Sequence, residues 1–328
     1  MRIGLVLGAG GAVGHAFHAG VLAALSDETG WDARDAEVIV GTSAGSLVGA
    51  YLRAGLSGPD LAARLTDEEM SDEGQGLVER AVAATEHLPP LPSRRPKQRG
   101  VPAMSAPGAL LRAAFPPWNA RPGAVAAAAL PAGSISTEII VGGLRPFFDH
   151  WPDRPFWINA VDLHSSRRVT FGREGSPTAD VASAVAASCA IPAFFAPVSI
   201  DGVRYVDGGA HSPTNADLVA PLGLDLLVIS SPMSVAGHSV RFSADQPGRR
   251  IARLTLAREV SRVRRAGTQV LTFQPTSAEL AVMGFNAMDP NRAAEVARAV
   301  RSSARERLSR ADANDRVTLL RDSLRPRA

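Results

Sequence analysis

The stretch Gly41-Thr42-Ser43-Ala44-Gly45 decides the fold, and it follows directly on the apolar run Ala36-Glu37-Val38-Ile39-Val40. An apolar strand that turns sharply at a serine and continues as a helix is the pattern of a nucleophile elbow. Gly41 and Gly45 permit this turn, because larger side chains there would collide with neighbouring backbone. The pattern predicts an exposed Ser43 at a helix N-terminus, where backbone dipoles favour developing negative charge.

Length and composition limit the class of protein. The 328 residues are 45% apolar and 20% charged, as expected of a folded chain with a large core. The single cysteine, Cys189, excludes an internal disulfide framework and is predicted to be a buried apolar filler. No run approaches the roughly 18 uninterrupted apolar residues of a transmembrane helix. We therefore expect a cytoplasmic protein.

The first residues allow two interpretations. Met1-Arg2, the apolar run 3–7 and the small residues that follow resemble a secretory signal peptide. The alternative is a first strand, a glycine loop and the first helix. We favour the second interpretation, because the glycine spacing has a use in the chemistry described below.

The charge is distributed unevenly. The net charge is only +3, yet residues 241–328 contain 18 arginines against 9 acidic residues. Such asymmetry is typical of proteins that contact an anionic membrane surface or nucleic acid, and it is also typical of solvated helix faces, the interpretation that we favour. The sequence therefore predicts a cytoplasmic protein for which peripheral membrane contact is one option, and no nucleic-acid partner is expected.

Hydrophobic periodicity predicts alternating strands and helices, which favour a mainly parallel sheet covered by helices. The predicted strands are 2–7, 36–40, 156–163, 168–171, 197–200, 203–206, 225–230 and 269–273. The predicted helices are 15–26, 44–54, 178–190, 250–266 and 291–310.

Residues 70–133 interrupt this alternation. Ten of the 24 prolines lie between Pro89 and Pro131, and the segment also contains Leu110, Leu111, Phe115 and Trp118. A long segment of this kind forms either a lid that covers a pocket or touches lipid, or a partly ordered surface insertion. We expect one domain over 1–328, with a core of 1–69 and 134–240, this Pro/Arg-rich insertion, and an Arg-rich helical part over 241–328.

A glycine loop follows the first predicted strand. It reads Gly8-Ala9-Gly10-Gly11-Ala12-Val13-Gly14, and consecutive glycines allow backbone N–H groups to face a ligand at the start of a helix. Such donors would stabilise the oxyanion of an acyl-transfer reaction. The loop also resembles a dinucleotide fingerprint, but that motif expects an acidic residue at the end of the second strand, where this chain has the Ser43 turn.

A base for Ser43 is the remaining requirement. None of the seven histidines has the sequence context of a catalytic histidine, and His211 is a lesser alternative. Asp207, in Val206-Asp207-Gly208-Gly209, ends a hairpin strand where two glycines let the chain turn away. A carboxylate can accept the serine proton directly, and an apolar site would raise its proton affinity. The alternative role for Asp207 is to stabilise the turn.

Together these motifs resemble the patatin-like phospholipase family. The resemblance rests on Gly10–Gly14, Gly41–Gly45 and Asp207-Gly208-Gly209, and on the stretch from Ala187 to Val198. It implies an α/β fold, a three-layer α/β/α patatin-like domain with a mainly parallel central sheet and a Pro-rich insertion. It also implies a Ser43–Asp207 dyad, an oxyanion hole and supporting motif glycines, with neither metal nor organic cofactor. The oxyanion-hole amides are those of Gly10, Gly11 and Ala12, and the supporting glycines are Gly14, Gly41, Gly45, Gly208 and Gly209.

The resemblance further implies a serine acyl hydrolase that cleaves lipid carboxylic esters through an acyl-enzyme, as a phospholipase A or lysophospholipase does. A general lipid esterase or thioesterase would share the same catalytic centre. A non-catalytic lipid-binding protein would keep only the scaffold. The chain departs from the family at Val13, where members often carry Arg or Lys, and this bears on phospholipid head-group preference. We expect the acyl chain beside the elbow helix, under the Pro-rich segment.

Overall fold

The computed structural model describes residues 1–89, 129–130, 132–237 and 245–324. Most of the predicted lid lies outside the described residues, together with its apolar positions Leu110, Leu111, Phe115 and Trp118. Within the described ranges no helix is long and apolar enough to span a lipid bilayer.

A central sheet of eight strands organises the described part of the chain. Its order is β5-β6-β3-β2-β1-β7-β8, and β4 pairs with β3. The strands are β1 (Ile3–Leu7), β2 (Val38–Thr42), β3 (Phe156–Asp162), β4 (Arg168–Phe171), β5 (Val198–Ile200), β6 (Val203–Asp207), β7 (Leu226–Ser230) and β8 (Gln269–Phe273). Strands β3, β2, β1, β7 and β8 run parallel, whereas β4, β5 and β6 form the antiparallel pairs.

Helices cover both faces of this sheet. The α-helices of the described residues are α1 (Gly11–Thr29), α2 (Ala44–Arg53), α3 (Gly58–Thr66), α4 (Asp72–Thr85), α5 (Glu138–Val141), α6 (Val181–Ser188), α7 (Gln246–Arg265), α8 (Ser277–Met283), α9 (Ala293–Ser309) and α10 (Asn314–Asp322). A 3₁₀ segment, Ala216–Leu222, also belongs to the cover.

The alternation of side chains along the strands creates two cores. Leu5 and Leu7 of β1 join the larger core, which includes residues of α1, α2, α6 and α9. Val6 points the other way, into a smaller core with residues of α7 and of the 3₁₀ segment. Because successive strand residues face opposite sides, a run of buried apolar residues needs cover on both faces. The result is the expected three-layer α/β/α arrangement.

Close helix packing brings the C-terminal part of the chain against α1. At Gly20 an added Cβ atom would lie 2.6 Å from the carbonyl oxygen of Ala297 in α9, so the two backbones approach closely. Helix α1 ends at Gly30, which has a φ of 74° suited to glycine. At the N-terminal end of α1, the Val13 N–H donates to the Ala287 carbonyl in the loop that precedes α9.

Several boundaries differ from the sequence prediction. Helix α1 begins at Gly11 instead of residue 15, because its first turn contains the glycine loop, which has no apolar periodicity. Strand β2 extends to Thr42 and so reaches the elbow directly. Helices α3 and α4 were not predicted, although Ser57 and Ser71 each accept a hydrogen bond from a backbone N–H of the first turn.

Candidate active site

Ser43 lies in the sharp turn between β2 and α2. Its φ of 53° and ψ of −124° belong to a region that non-glycine residues rarely adopt. Its N–H donates to the Ser188 hydroxyl over 2.9 Å, and that hydroxyl donates to the Asn159 carbonyl over 2.6 Å. The Ser46 hydroxyl donates to the Ser43 carbonyl over 2.7 Å. Side chains of two helices, α6 and α2, therefore hold this strained residue in place, and the backbone of β3 anchors the first of them.

The two glycines of the elbow are required because there is no space for a side chain at either position. A Cβ atom at Gly41 would lie 2.5 Å from Ser46 Cα, and one at Gly45 would overlap the Leu7 carbonyl group. Real Cβ atoms do not come so close to backbone. Helix α2 can therefore start directly above the end of β1 only because these two positions lack side chains.

The strain at Ser43 leads to a stability prediction. Ser43→Gly should unfold at a higher urea concentration than Ser43→Ala, with about 1–3 kcal/mol between them, because glycine relieves the positive φ. The control is the same pair of substitutions at Ser302, an exposed residue of α9. There the Ser302→Ala protein should be more stable than the Ser302→Gly protein by about 1 kcal/mol. The same order at both positions would contradict strain at Ser43.

The register of β3 brings Asp207 to Ser43. One edge of β3 pairs first with β2 and then with β6. The last residue of β2, Thr42, pairs with Asn159, and the last residue of β6, Asp207, pairs with the next residue of β3, Ala160. Strand β4 pairs with residues 158–161 of β3. Each of these four residues also pairs with β2 or β6, so β4 must lie along the opposite edge of β3. The ends of β2 and β6 therefore meet at consecutive residues of β3.

The environment of Asp207 favours the protonated carboxyl group. The side chain is only 5% exposed, and this burial raises its pKa. Hydrogen bonds from the Ser43 hydroxyl and the Gly209 N–H lower the pKa again, the second over 2.7 Å to Oδ1. Burial prevails, and the pKa of Asp207 is about 6. The carboxylate thus has a higher proton affinity than in water and touches an alcohol.

The glycines after Asp207 also fit the structure closely. A Cβ atom at Gly208 would overlap the carbonyl oxygen of Asn159, and one at Gly209 would lie 3.0 Å from Asp207 Oδ1. His211, the alternative base, does not line the cavity beside Ser43 and instead contributes to lowering the pKa of Asp217.

The glycine loop presents free backbone donors beside Ser43. Among the described residues no backbone or side-chain acceptor bonds the N–H groups of Gly10, Gly11 and Ala12. Gly11 and Ala12 line the same cavity as Ser43, whereas Gly10 does not. These amides stand at the N-terminus of the 19-residue α1, which favours an anion there.

A buried histidine that the sequence analysis missed holds the start of this loop. His18 of α1 is fully buried; its Nε2–H donates to the Gly8 carbonyl over 2.8 Å, and its Nδ1 accepts from the Ser230 hydroxyl over 2.7 Å. Burial lowers the pKa of His18 to about 4, so the ring is neutral. The Ala9 N–H is held in turn by the Pro213 carbonyl. The available signal was the pair of histidines, His15 and His18, in the otherwise apolar stretch 11–25 of α1.

An apolar cavity of about 210 Å³ opens beside Ser43. Leu47, Leu65, Ile140, Ile191, Phe195 and Met288 provide most of its apolar wall. Cys189 also lines it, and burial raises the pKa of its thiol well above the usual range. A neutral thiol with this environment acts as an apolar filler, as predicted.

A family model described as patatin-like phospholipase matches residues 5–220, a range that includes Ser43 and Asp207 and ends within the 3₁₀ segment after β6. Among solved structures, the chain is similar to VipD from Legionella pneumophila, with 13% identity and a TM-score of 0.43. That match covers 94% of this chain and 66% of the VipD chain, so this chain spans just under two thirds of its length. No curated protein sequence matches this chain.

Proposed function

The chain belongs to the patatin-like phospholipase family, and from that premise we propose that it is a serine hydrolase of lipid carboxylic esters. The observation that carries the proposal is the pairing along β3, which sets the strained Ser43 against a buried Asp207. A serine at an elbow, a carboxylate with raised proton affinity and unbonded amides are the three parts that acyl transfer needs.

In the proposed reaction Asp207 accepts the Ser43 proton while Oγ attacks the carbonyl carbon of the ester. The N–H groups of Gly11 and Ala12 would receive the negative charge that develops on the carbonyl oxygen. Collapse of the tetrahedral intermediate releases the alcohol, which takes the proton back from Asp207. Water then attacks the acyl-enzyme while Asp207 accepts one of its protons. Collapse of this second intermediate breaks the bond between the acyl group and Ser43 Oγ, Asp207 returns the proton to Oγ, and the carboxylic acid leaves.

Labelling with a fluorophosphonate tests this proposal. We expect wild-type protein to react at Ser43, identified by mass spectrometry of the modified peptide, and Ser43→Ala not to react. Asp207→Asn should react at least about 100-fold more slowly, because it lacks the base. Ser302→Ala, on the exposed face of α9, is the control and should react like the wild type.

Three outcomes would contradict the proposal. Reaction of Ser43→Ala at the wild-type rate would remove Ser43 from the mechanism, and full-rate reaction of Asp207→Asn would remove Asp207. A protein that binds lipid vesicles yet never reacts would instead be the non-catalytic lipid-binding alternative.

The class of ester is a second question within the same proposal. A phospholipase would hydrolyse phosphatidylcholine or lysophosphatidylcholine faster than p-nitrophenyl or thioesters of the same acyl chain. A general esterase or thioesterase would show the reverse order. Val13 favours the second outcome, because it is 2% exposed, packs in the core and offers no positive charge to a phosphate group.

A further inference from the structure

One wall of the cavity beside Ser43 comes from a part of the chain that the family model does not match. Met288, Pro290 and Ala293 line this cavity, whereas the family match ends at residue 220. These three residues belong to the loop 284–292 and to the first turn of α9. Specificity determined here would be a property of this chain beyond its matched domain.

The loop 284–292 packs directly on the glycine loop. The Ala287 carbonyl accepts a hydrogen bond from the Val13 N–H over 3.0 Å. A Cβ atom at Gly11 would lie 2.6 Å from the same carbonyl oxygen and 3.0 Å from Met288 Sδ. The backbone that carries Met288 is thus fixed against the amides proposed to bind the oxyanion.

The same loop is braced from within. The Met288 N–H donates to Asn286 Oδ1 over 3.1 Å, and the Asn291 N–H donates to Asp289 Oδ1 over 3.2 Å. Arg292 donates to the Val282 carbonyl over 2.8 Å and pairs with Asp289. These contacts fix the position of Met288, and Met288 therefore limits how far the cavity extends on this side.

The cavity suits a short uncharged chain. Its volume of about 210 Å³ is about 1.4 times that of a cavity of about 150 Å³ that holds the six carbon atoms of benzene, so it has room for about eight carbon atoms. His15 also lines it, and burial together with Arg64 and His18 lowers the pKa of this residue to about 3, so the ring carries no charge. A charged or strongly polar acyl group would find few partners among the described lining residues.

We propose that the loop 284–292 limits the acyl chain to about eight carbon atoms, and that Met288 is the specificity-determining residue. The inference rests on the proposed function, since it concerns the acyl group that Ser43 would carry. Methylenes that enter the cavity raise kcat/KM by roughly fourfold each, and further methylenes outside it contribute little.

A series of p-nitrophenyl esters from acetate to palmitate tests this inference, each used below its aggregation limit. For the wild type, kcat/KM should rise up to hexanoate or octanoate and then level off or fall. Met288→Ala should move the maximum to longer esters, and Met288→Trp should move it to acetate or butyrate. Opposite shifts cannot arise from a general loss of stability. Phe285→Ala is the matched control, because Phe285 lies in the same loop, is 81% exposed and does not line the cavity.

The outcomes separate this inference from the function on which it rests. If the wild type hydrolyses esters but the two Met288 variants share one chain-length profile, only the role of the loop is overturned. A maximum at palmitate in the wild type would overturn the length limit. A wild type that hydrolyses no ester and never reacts with a fluorophosphonate would overturn the proposed function and the inference together.

Discussion

Asp207→Asn should lower kcat for a soluble ester by about 10³–10⁴-fold, because asparagine cannot accept the Ser43 proton. The wild-type rate should also rise with pH through an apparent pKa near 6, since the proposed base Asp207 would accept a proton only when ionised. His15 and His18 have pKa values lowered by burial to about 3 and about 4, so neither ring accounts for a transition near pH 6. The measurement is kcat against pH for the wild type and for the residual activity of the variant.

The same substitution should stabilise the fold above pH 6. Burial raises the pKa of Asp207 from 3.8 to about 6, so the folded state holds this proton more tightly than the unfolded state does. The stability that the proton contributes is complete below pH 3.8 and is lost as the pH rises through 6. Two pKa units correspond to a difference on the order of 3 kcal/mol, which asparagine would restore at pH 8.

Chemical unfolding at pH 4 and pH 8 measures this effect. Asp207→Asn should gain stability over the wild type at pH 8 and little at pH 4. Asp217→Asn is the control of opposite sign, because Arg168 outweighs the effect of burial and lowers the pKa of Asp217. Its loss should be largest at pH 8 and should decrease as the pH falls below 4. If Asp207→Asn were less stable than the wild type at pH 8, the ionised Asp207 carboxylate could not be destabilising the folded state, and the prediction would be wrong.

The sequence was sufficient to predict the parts of the site that are local in the chain. The elbow was predicted because strand, turn and helix follow one another around Ser43, and each has its own residue pattern. The hairpin between β5 and β6 was predicted from Asp201-Gly202, and both residues have positive φ values in the structure. Each of these features depends on a few adjacent residues.

Features that depend on distant contacts were not predictable in this way. The meeting of β2 and β6 at one edge of β3 is a matter of register between strands separated by more than a hundred residues. The cavity wall formed by Met288 follows from the packing of α9 on α1, which has no local signature. Helix α3 is a different case, because its start was predictable. Ser57, Pro59 and Asp60 form a helix start signal that the sequence prediction did not use.

Gly45→Ala should destabilise the fold by about 3–5 kcal/mol, the largest stability effect we expect from a single added methyl group. The new Cβ atom would overlap the Leu7 carbonyl group, which is backbone and cannot rotate away. Leu7 lies in the central strand β1, where it is paired with Gly41 of β2 and with Ser230 of β7. Helix α2 would therefore have to move away from the sheet and would take Ser43 with it.

The matched control is Gly76→Ala, the same substitution in the middle of α4. Apart from the adjoining residues and the nearby backbone of α4 itself, no atom lies within 4 Å of the Cβ position at Gly76, so only helix propensity changes, and alanine should add up to about 1 kcal/mol. Urea unfolding of both variants measures the contrast, and fluorophosphonate reaction shows whether Ser43 stays in place. Because alanine is favoured intrinsically in both helices, a loss at Gly45 with a gain at Gly76 isolates the overlap with β1. Equal stability of Gly45→Ala and the wild type would mean that the elbow has room for a side chain, and the close contact between α2 and β1 would be wrong.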